Sequence, residues 1–284
     1  MVRRVVSAER PAPLETALYV DDPTDEPLVY GLGAGAIAVS SDPCPGLDLP
    51  HRNEDAIATI RFTDTEAAIA VADGAGGMPC GADASKAAVG ALRRAIDQAA
   101  RDGRSLRAGI LDGFEQADQA VRDLGVGAAT TLAVAEIGEE KLRSYHAGDS
   151  AIAVFGQRGR VKLTIVPHSP VGYGVEAGLI APEDALHHDD LNLVSNFVGG
   201  TEGMRIEIGP ALTLAARDTV VVGTDGLFDN LHLDEVGNLV RIGPIGLAAG
   251  RLRETCLARM QSPVHGQPSK PDDLAFVLYR RTGS

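Results

Sequence analysis

The chain has 284 residues, enough for one large domain or two small ones, and its 26 lysines and arginines against 39 aspartates and glutamates give a formal charge of −13. That field repels a phosphate backbone, and aromatic residues at 4% with no tryptophan leave few surfaces for base stacking, so nucleic acid is not an expected partner. With 44% apolar and 23% charged residues, and no run near 18 uninterrupted apolar residues, the composition is that of a soluble globular protein with no membrane partner. The opening MVRRVVSAERPAP contains no signal-peptide hydrophobic region. Cys44, Cys80 and Cys256 are odd in number and far apart, which favours reduced thiols over a disulfide framework or zinc ribbon. A cytoplasmic location is the expectation.

Residues 1–27, with Pro11, Pro13, Pro23 and Pro27 among charges, carry no sustained period and read as a flexible N-terminal lead-in, which leaves 28–284 as the domain. From Leu28 short apolar runs follow, LVYGLGAGAIAVSS, DAIATIRF and AAIAVADG, each closed by Gly, Asp or Pro, and these read as strands. The period then becomes helical: Ala88, Leu92, Ala95 and Ala99, then Leu106, Ile110, Phe114, Ala117, Val121 and Leu124 between a Ser105 cap and Gly125. The short linker near Asp102 to Arg104 makes these two helices an antiparallel pair.

Strands return as TTLAVAEI, KLRSYHA, AIAVFG and RVKLTIV, read as a meander with a hairpin turn at GQRGR. Residues 167–210 are rich in Gly, His and Asp and read as a flap insertion. TLAARDTVVVGTD reads as a further strand pair, LDEVGNLVRI and GPIGLAAGRLRETCLARMQ as a second helix pair, and DDLAFVLYRR as the closing strand. Each helix pair needs a sheet for its apolar stripe, and so many hairpin-connected strands fold into two sheets. The expected fold is α+β, a four-layer α-β-β-α sandwich of two antiparallel sheets flanked by helix pairs.

Acids stand at strand ends. Asp73 follows AAIAVA, Asp225 follows VVVGT, Asp272 and Asp273 precede LAFVLY, and Glu54 and Asp55 precede AIATI. Neighbouring antiparallel strands bring such ends to one edge, where converging carboxylates repel unless a cation lies between them. An all-oxygen set favours Mg²⁺ or Mn²⁺ over zinc. Gly74 and Gly226, each directly after an aspartate, fit tight turns that expose carbonyls to an ion. By contrast His187, His188, Asp189 and Asp190 are consecutive, point in different directions and read as a solvated part of the flap. No Walker loop, GxSxG elbow or HExxH is present.

Asn53-Glu54-Asp55-Ala56, Val71 to Gly77, Gly127 to Leu132, Gly148-Asp149-Ser150, Thr224 to Asp229 and Lys270-Pro271-Asp272-Asp273 resemble, in order, the motifs of the protein phosphatase 2C family of metal-dependent Ser/Thr phosphatases. The resemblance implies the α-β-β-α fold, a phosphorylated protein as substrate and a place in signalling. It also implies two Mn²⁺ or Mg²⁺ ions: Asp73 bridging them with the Gly74 carbonyl, Glu54 nearby, Asp225 and Asp272 completing the ligands of the second ion, and Asp149 with Asp225 holding a possible third ion. Asp73 and Asp225 are the candidate catalytic residues, since ions bridged in this way deliver a hydroxide in line with the phosphorus. The family's arginine four residues before the motif glutamate is Pro50 in this sequence, with Arg52 the candidate to hold the phosphate instead. The position after Asp-Gly is Ala75, which carries no proton, and the position after Gly-Asp-Ser is Ala151. These departures define the alternative, a catalytically weak or inactive relative that acts as a regulatory binding module.

Overall fold

A computed structural model describes residues 15–20, 23–46, 52–75, 80–125, 127–138, 140–200 and 203–281. The first strand, β1 (Thr16–Val20), lies inside the segment expected to be a structureless lead-in. Its alternating TALYV pairs with β4 (Asp55–Arg61) as an edge strand. The prolines around it hide a run this short. Residues 1–14 lie outside the described residues. LVYGLGAGAIAVSS is two strands, β2 (Leu28–Leu32) and β3 (Gly35–Asp42), because Gly33 takes φ 54 and turns the chain back on itself.

β5 (Ala67–Asp73) leads to α1 (Gly81–Arg101) and α2 (Leu106–Arg122), whose Ser105 cap accepts from the Ala108 amide as its sequence requires. The pair packs closely because Gly113 meets Leu92, where a Cβ would come within 2.6 Å of the leucine Cδ1. Next come β6 (Leu132–Ile137), β7 (Lys141–Ala147), β8 (Ala151–Phe155) and β9 (Val161–Thr164). The short helices α3 (Pro170–Glu176) and α4 (Pro182–Ala185) follow, then β10 (Glu207–Ile208), β11 (Leu212–Thr213) and β12 (Thr219–Gly223). The chain closes with α5 (Asp225–Phe228), α6 (Leu233–Val240), α7 (Ile245–Gln261) and β13 (Leu274–Arg281).

One sheet runs β1-β4-β5-β6-β7, with β10 and β11 both paired to β7; the other runs β2-β3-β13-β12-β8-β9. The expected meander is therefore cut in two. The chain changes sheets between β7 and β8, at Gly148-Asp149-Ser150, where Gly148 has φ 110. The expected pair within TLAARDTVVVGTD is also divided: β11 joins β7, while β12 joins β8 and β13 in the other sheet. Strand alternation explains the layering. In β5, Ala68, Ala70 and Ala72 face α1 and α2, while Ile69 and Val71 meet Val39, Val154, Val222 and Val277 between the sheets. A third core joins Ala38, Val221, Phe276 and Leu278 to Leu252, Cys256 and Met260 of α7. The result is the α-β-β-α sandwich. Among the described residues no helix is long and apolar enough to cross a membrane.

Candidate functional site

In the register of β4 and β5, Asp55 lies directly opposite Asp73. β12 and β13 are neighbours, so Asp225, just past β12, and Asp272 and Asp273, just before β13, meet at the same edge, and Asp149 arrives on the crossing between the sheets. Burial, then Asp225, Asp55 and Asp149, hold the Asp73 carboxyl well above the usual carboxylate range. Asp55 is raised by burial and by Asp273. Burial and Asp225 push Asp149 up to about 7 and Asp272 up to about 6. Carboxyls that resist ionisation to this extent form a site in need of positive charge. Their all-oxygen chemistry fits a hard divalent cation.

A fixed hydrogen-bond frame surrounds these acids. The Asp73 carbonyl accepts from the Thr131 amide at 2.8 Å and the Thr130 hydroxyl at 2.7 Å, while the Asp73 amide donates to Thr131 Oγ1 at 2.9 Å. Thr131 Oγ1 in turn meets Ser150 Oγ at 2.6 Å, tying the strand end to the Asp149 turn. Thr224 Oγ1 donates to Asp55 at 2.8 Å, and Asp273 accepts from the amides of Cys44 and Glu54, each at 2.7 Å. Asp273 thus acts as a structural acceptor beside Asp272.

Glycine fits both Gly74 and Gly226 for a reason other than the expected turn. A Cβ on Gly74 would come within 2.3 Å of the Gly81 backbone, and one on Gly226 within 1.8 Å of the Asp273 carbonyl oxygen. Each marks a close approach of two chain segments. The Gly226 carbonyl is not open to an ion, since it accepts from Asn230 Nδ2 at 2.9 Å and Cys256 Sγ at 3.2 Å. The Glu54 carboxylate lies against the start of α1, filling the space a Gly81 Cβ would take. Arg52, half exposed, pairs with Asp83 of α1 at 3.3 Å. Asp190 is exposed, 4.0 Å from His188.

Sequence reasoning gave no role to Asp229 or Lys270, and both belong to the cluster. Asp229 follows Asp225 by four residues and its amide donates to the Asp225 carbonyl, so the helical turn of α5 brings both carboxylates to one side. That spacing was the available signal. Lys270 Nζ is bonded to Asp225, to Asp229 at 3.0 Å and to Asp272 at 3.2 Å. Asn230 holds the lysine backbone, accepting from its amide at 2.7 Å and donating to its carbonyl at 2.8 Å.

Two histidines brace the Asp149 turn from behind. His168 Nδ1 accepts from the Gly148 amide at 3.2 Å and from Asn196 Nδ2 at 2.8 Å, which leaves Nε2–H to face Glu207 at 3.2 Å. His146 stacks on His168, its centroid 4.3 Å away, and donates from Nε2 to the Val166 carbonyl. Burial, then the neighbouring His168, pushes His146 down to about 4 from 6.5, with Glu207 acting weakly the other way. The fold thus favours neutral imidazole. This stabilisation is complete above about pH 6.5 and is lost as pH falls toward 4. Between pH 7.5 and pH 5 it amounts to about 2 kcal/mol. In urea unfolding at those two pH values, His146→Asn should lose that much less stability than the wild type; equal losses would contradict it.

Residues 50–243 match the protein phosphatase 2C family model. Protein phosphatase PhpP of Streptococcus pneumoniae is 29% identical over 178 residues, covering 61% of this chain and 72% of that protein. The S. agalactiae serine/threonine phosphatase superposes with a TM-score of 0.72 at 23% identity, covering 87% of this chain and 99% of that one. The catalytic domain of PstP, solved in complex with two manganese ions, superposes at 0.63 with 24% identity, covering 86% and 96%. The two structural likenesses speak to the fold alone. The family match spans most of the chain, five of its six motifs and every clustered acid except Asp272 and Asp273, and on that match the chain belongs to the protein phosphatase 2C family of protein-serine/threonine phosphatases.

Proposed function

We propose that the chain hydrolyses phosphoserine and phosphothreonine in protein substrates at the acidic edge. In this reading Glu54, Asp73, the Gly74 carbonyl, Asp149, Asp225 and Asp272 hold two Mn²⁺ or Mg²⁺ ions, with Asp149 and Asp225 able to hold a third. Asp73 and Asp225 are the residues on which catalysis depends. Residues 28–284, with β1 paired onto β4, form the phosphatase domain, and 167–210 its flap. The observation that carries the reading is the convergence of buried carboxyls from both sheets, each raised by the others. When bound, such ions supply a hydroxide nucleophile near neutral pH and neutralise the phosphoryl oxygens. The protein's part is to fix the carboxylates: Thr130 and Thr131 lock the Asp73 backbone, and Thr224 orients Asp55. Ala75 offers no proton to a leaving group.

Arg52 is the residue proposed to hold the substrate phosphate, for which it must exchange its pairing with Asp83. Arg52→Ala should raise KM more than it lowers kcat, because binding common to ground and transition states is what is lost. An unchanged KM would return Arg52 to a surface ion pair.

Lys270 favours a second reading, a regulatory binding module without turnover, because its ammonium already meets part of the need for positive charge. The two readings separate on Lys270→Met. Removing one partner of a largely buried ion cluster costs about 3 kcal/mol, so the metal-free variant should melt several degrees below the wild type. It should then gain more than the wild type from Mn²⁺, having lost an internal competitor. A variant that melts lower in EDTA and gains nothing from Mn²⁺ would favour the module.

A further inference from the structure

A cavity of about 700 Å³ opens between the segment Thr164 to Leu191 and the turn Asp225 to Asp234. One wall is formed by Asp149, Asp225 and Asp229, so the cavity is continuous with the acidic edge. The remaining walls are largely apolar, with Val171, Val175, Leu186, Leu191, Phe228 and Leu233 facing it, and all but Val171 are half-buried. Its size lies within the range of specific ligand pockets and exceeds what one aliphatic side chain needs. Around the mouth Glu176, Glu183 and Asp234 are exposed acids, on a chain of charge −13.

A phosphate delivered to the acidic edge carries its attached chain past this opening. Half-buried apolar walls next to a reacting centre gain from any side chain that displaces water from them. The acidic rim selects for basic residues along the rest of the segment. We propose that the cavity receives an apolar side chain of leucine, isoleucine, methionine or phenylalanine size, next to the phosphorylated residue of a basic protein segment. The inference rests on the phosphatase reading and specifies its substrate class.

Binding of two peptides, read by fluorescence anisotropy in Mn²⁺, tests it without turnover. Both carry a non-hydrolysable phosphonate in place of phosphothreonine within an arginine-containing sequence, flanked by leucine in one and glycine in the other. The leucine peptide should bind about 10 to 100 times more tightly. Ala185→Trp, which fills the cavity, and Leu186→Gln, which makes its wall polar, should each remove most of that preference while melting as folded proteins. Equal affinities for the two peptides, a preference surviving in both variants, or equal binding of the leucine peptide without its phosphonate would each overturn the proposal. Phosphate release from an aryl phosphate by the same protein reads the phosphatase reading separately: preference for leucine without release keeps the pocket and rejects the enzyme.

Discussion

Asp73→Ala should abolish phosphate release, lowering kcat/KM by about a thousandfold or more, since several kcal/mol of barrier depend on the ligand proposed to bridge the ions. The fold should survive. Asp73 is the last residue of β5, and its backbone is held through its own amide and carbonyl by Thr130 and Thr131, contacts that the substitution leaves intact. Asp225→Ala should lose as much activity and in addition deprive Lys270 of a partner. Asp190→Ala, on an exposed side chain whose ionisable neighbour is His188, should stay within about twofold of wild type, the effect expected of a solvated surface group. Steady-state kinetics on an aryl phosphate, with circular dichroism to verify folding, distinguishes these cases. An Asp73→Ala protein retaining more than about a tenth of wild-type rate would refute the two-ion assignment, because a tenfold loss corresponds to only about 1.4 kcal/mol.

Exhaustive chelation should bring hydrolysis to background and also lower the melting temperature. A cation that binds only the folded state contributes about 2.7 kcal/mol at a hundred times its Kd. For a domain of this length that is a shift of roughly 5 to 10 °C. Asp149→Asn isolates the electrostatic part. Burial and Asp225 raise this carboxyl to about 7, so replacing it with a neutral amide relieves the metal-free protein. The variant should melt above wild type in EDTA and gain less from Mn²⁺. Asp225→Asn is the poorer probe, because the relief is offset by weakening the Lys270 cluster. Identical wild-type melts in EDTA and in millimolar Mn²⁺ would mean that the acids hold no ion.

Much of this arrangement is legible in the residues themselves. The period of two in AAIAVA and of three to four from Ala88 to Ala99 specifies strand and helix, and the end of α1 and both ends of α2 follow from Gly103, Ser105 and Gly125. Sheet membership is harder to read, because local patterns show that β7 and β8 are strands but not that the chain changes sheets between them. That change depends on Gly148, whose φ of 110 and close approach to Thr131 need a glycine. β1 escapes notice because five residues between prolines show too little of their period. For the site, acids at strand ends point to a common edge, and the family motifs supply the proposed ligands. Lys270 stays hidden, since its meaning lies in distances to Asp225 and Asp229 that only tertiary structure sets, whereas the spacing of four from Asp225 signals Asp229. The glycines after Asp73 and Asp225 are readable as necessary, but the reason, contact with Gly81 and with Asp273, is not.

Turnover of phosphoprotein at the acidic edge is measured most directly as release of inorganic phosphate from a phosphothreonine peptide by the wild-type chain. In millimolar Mn²⁺ release should be catalytic, with many turnovers per protein, and in EDTA it should match the buffer blank. Release at the blank level in Mn²⁺, from protein whose melt shows it folded, would contradict such turnover and leave Lys270 and its carboxylates as the core of a binding module.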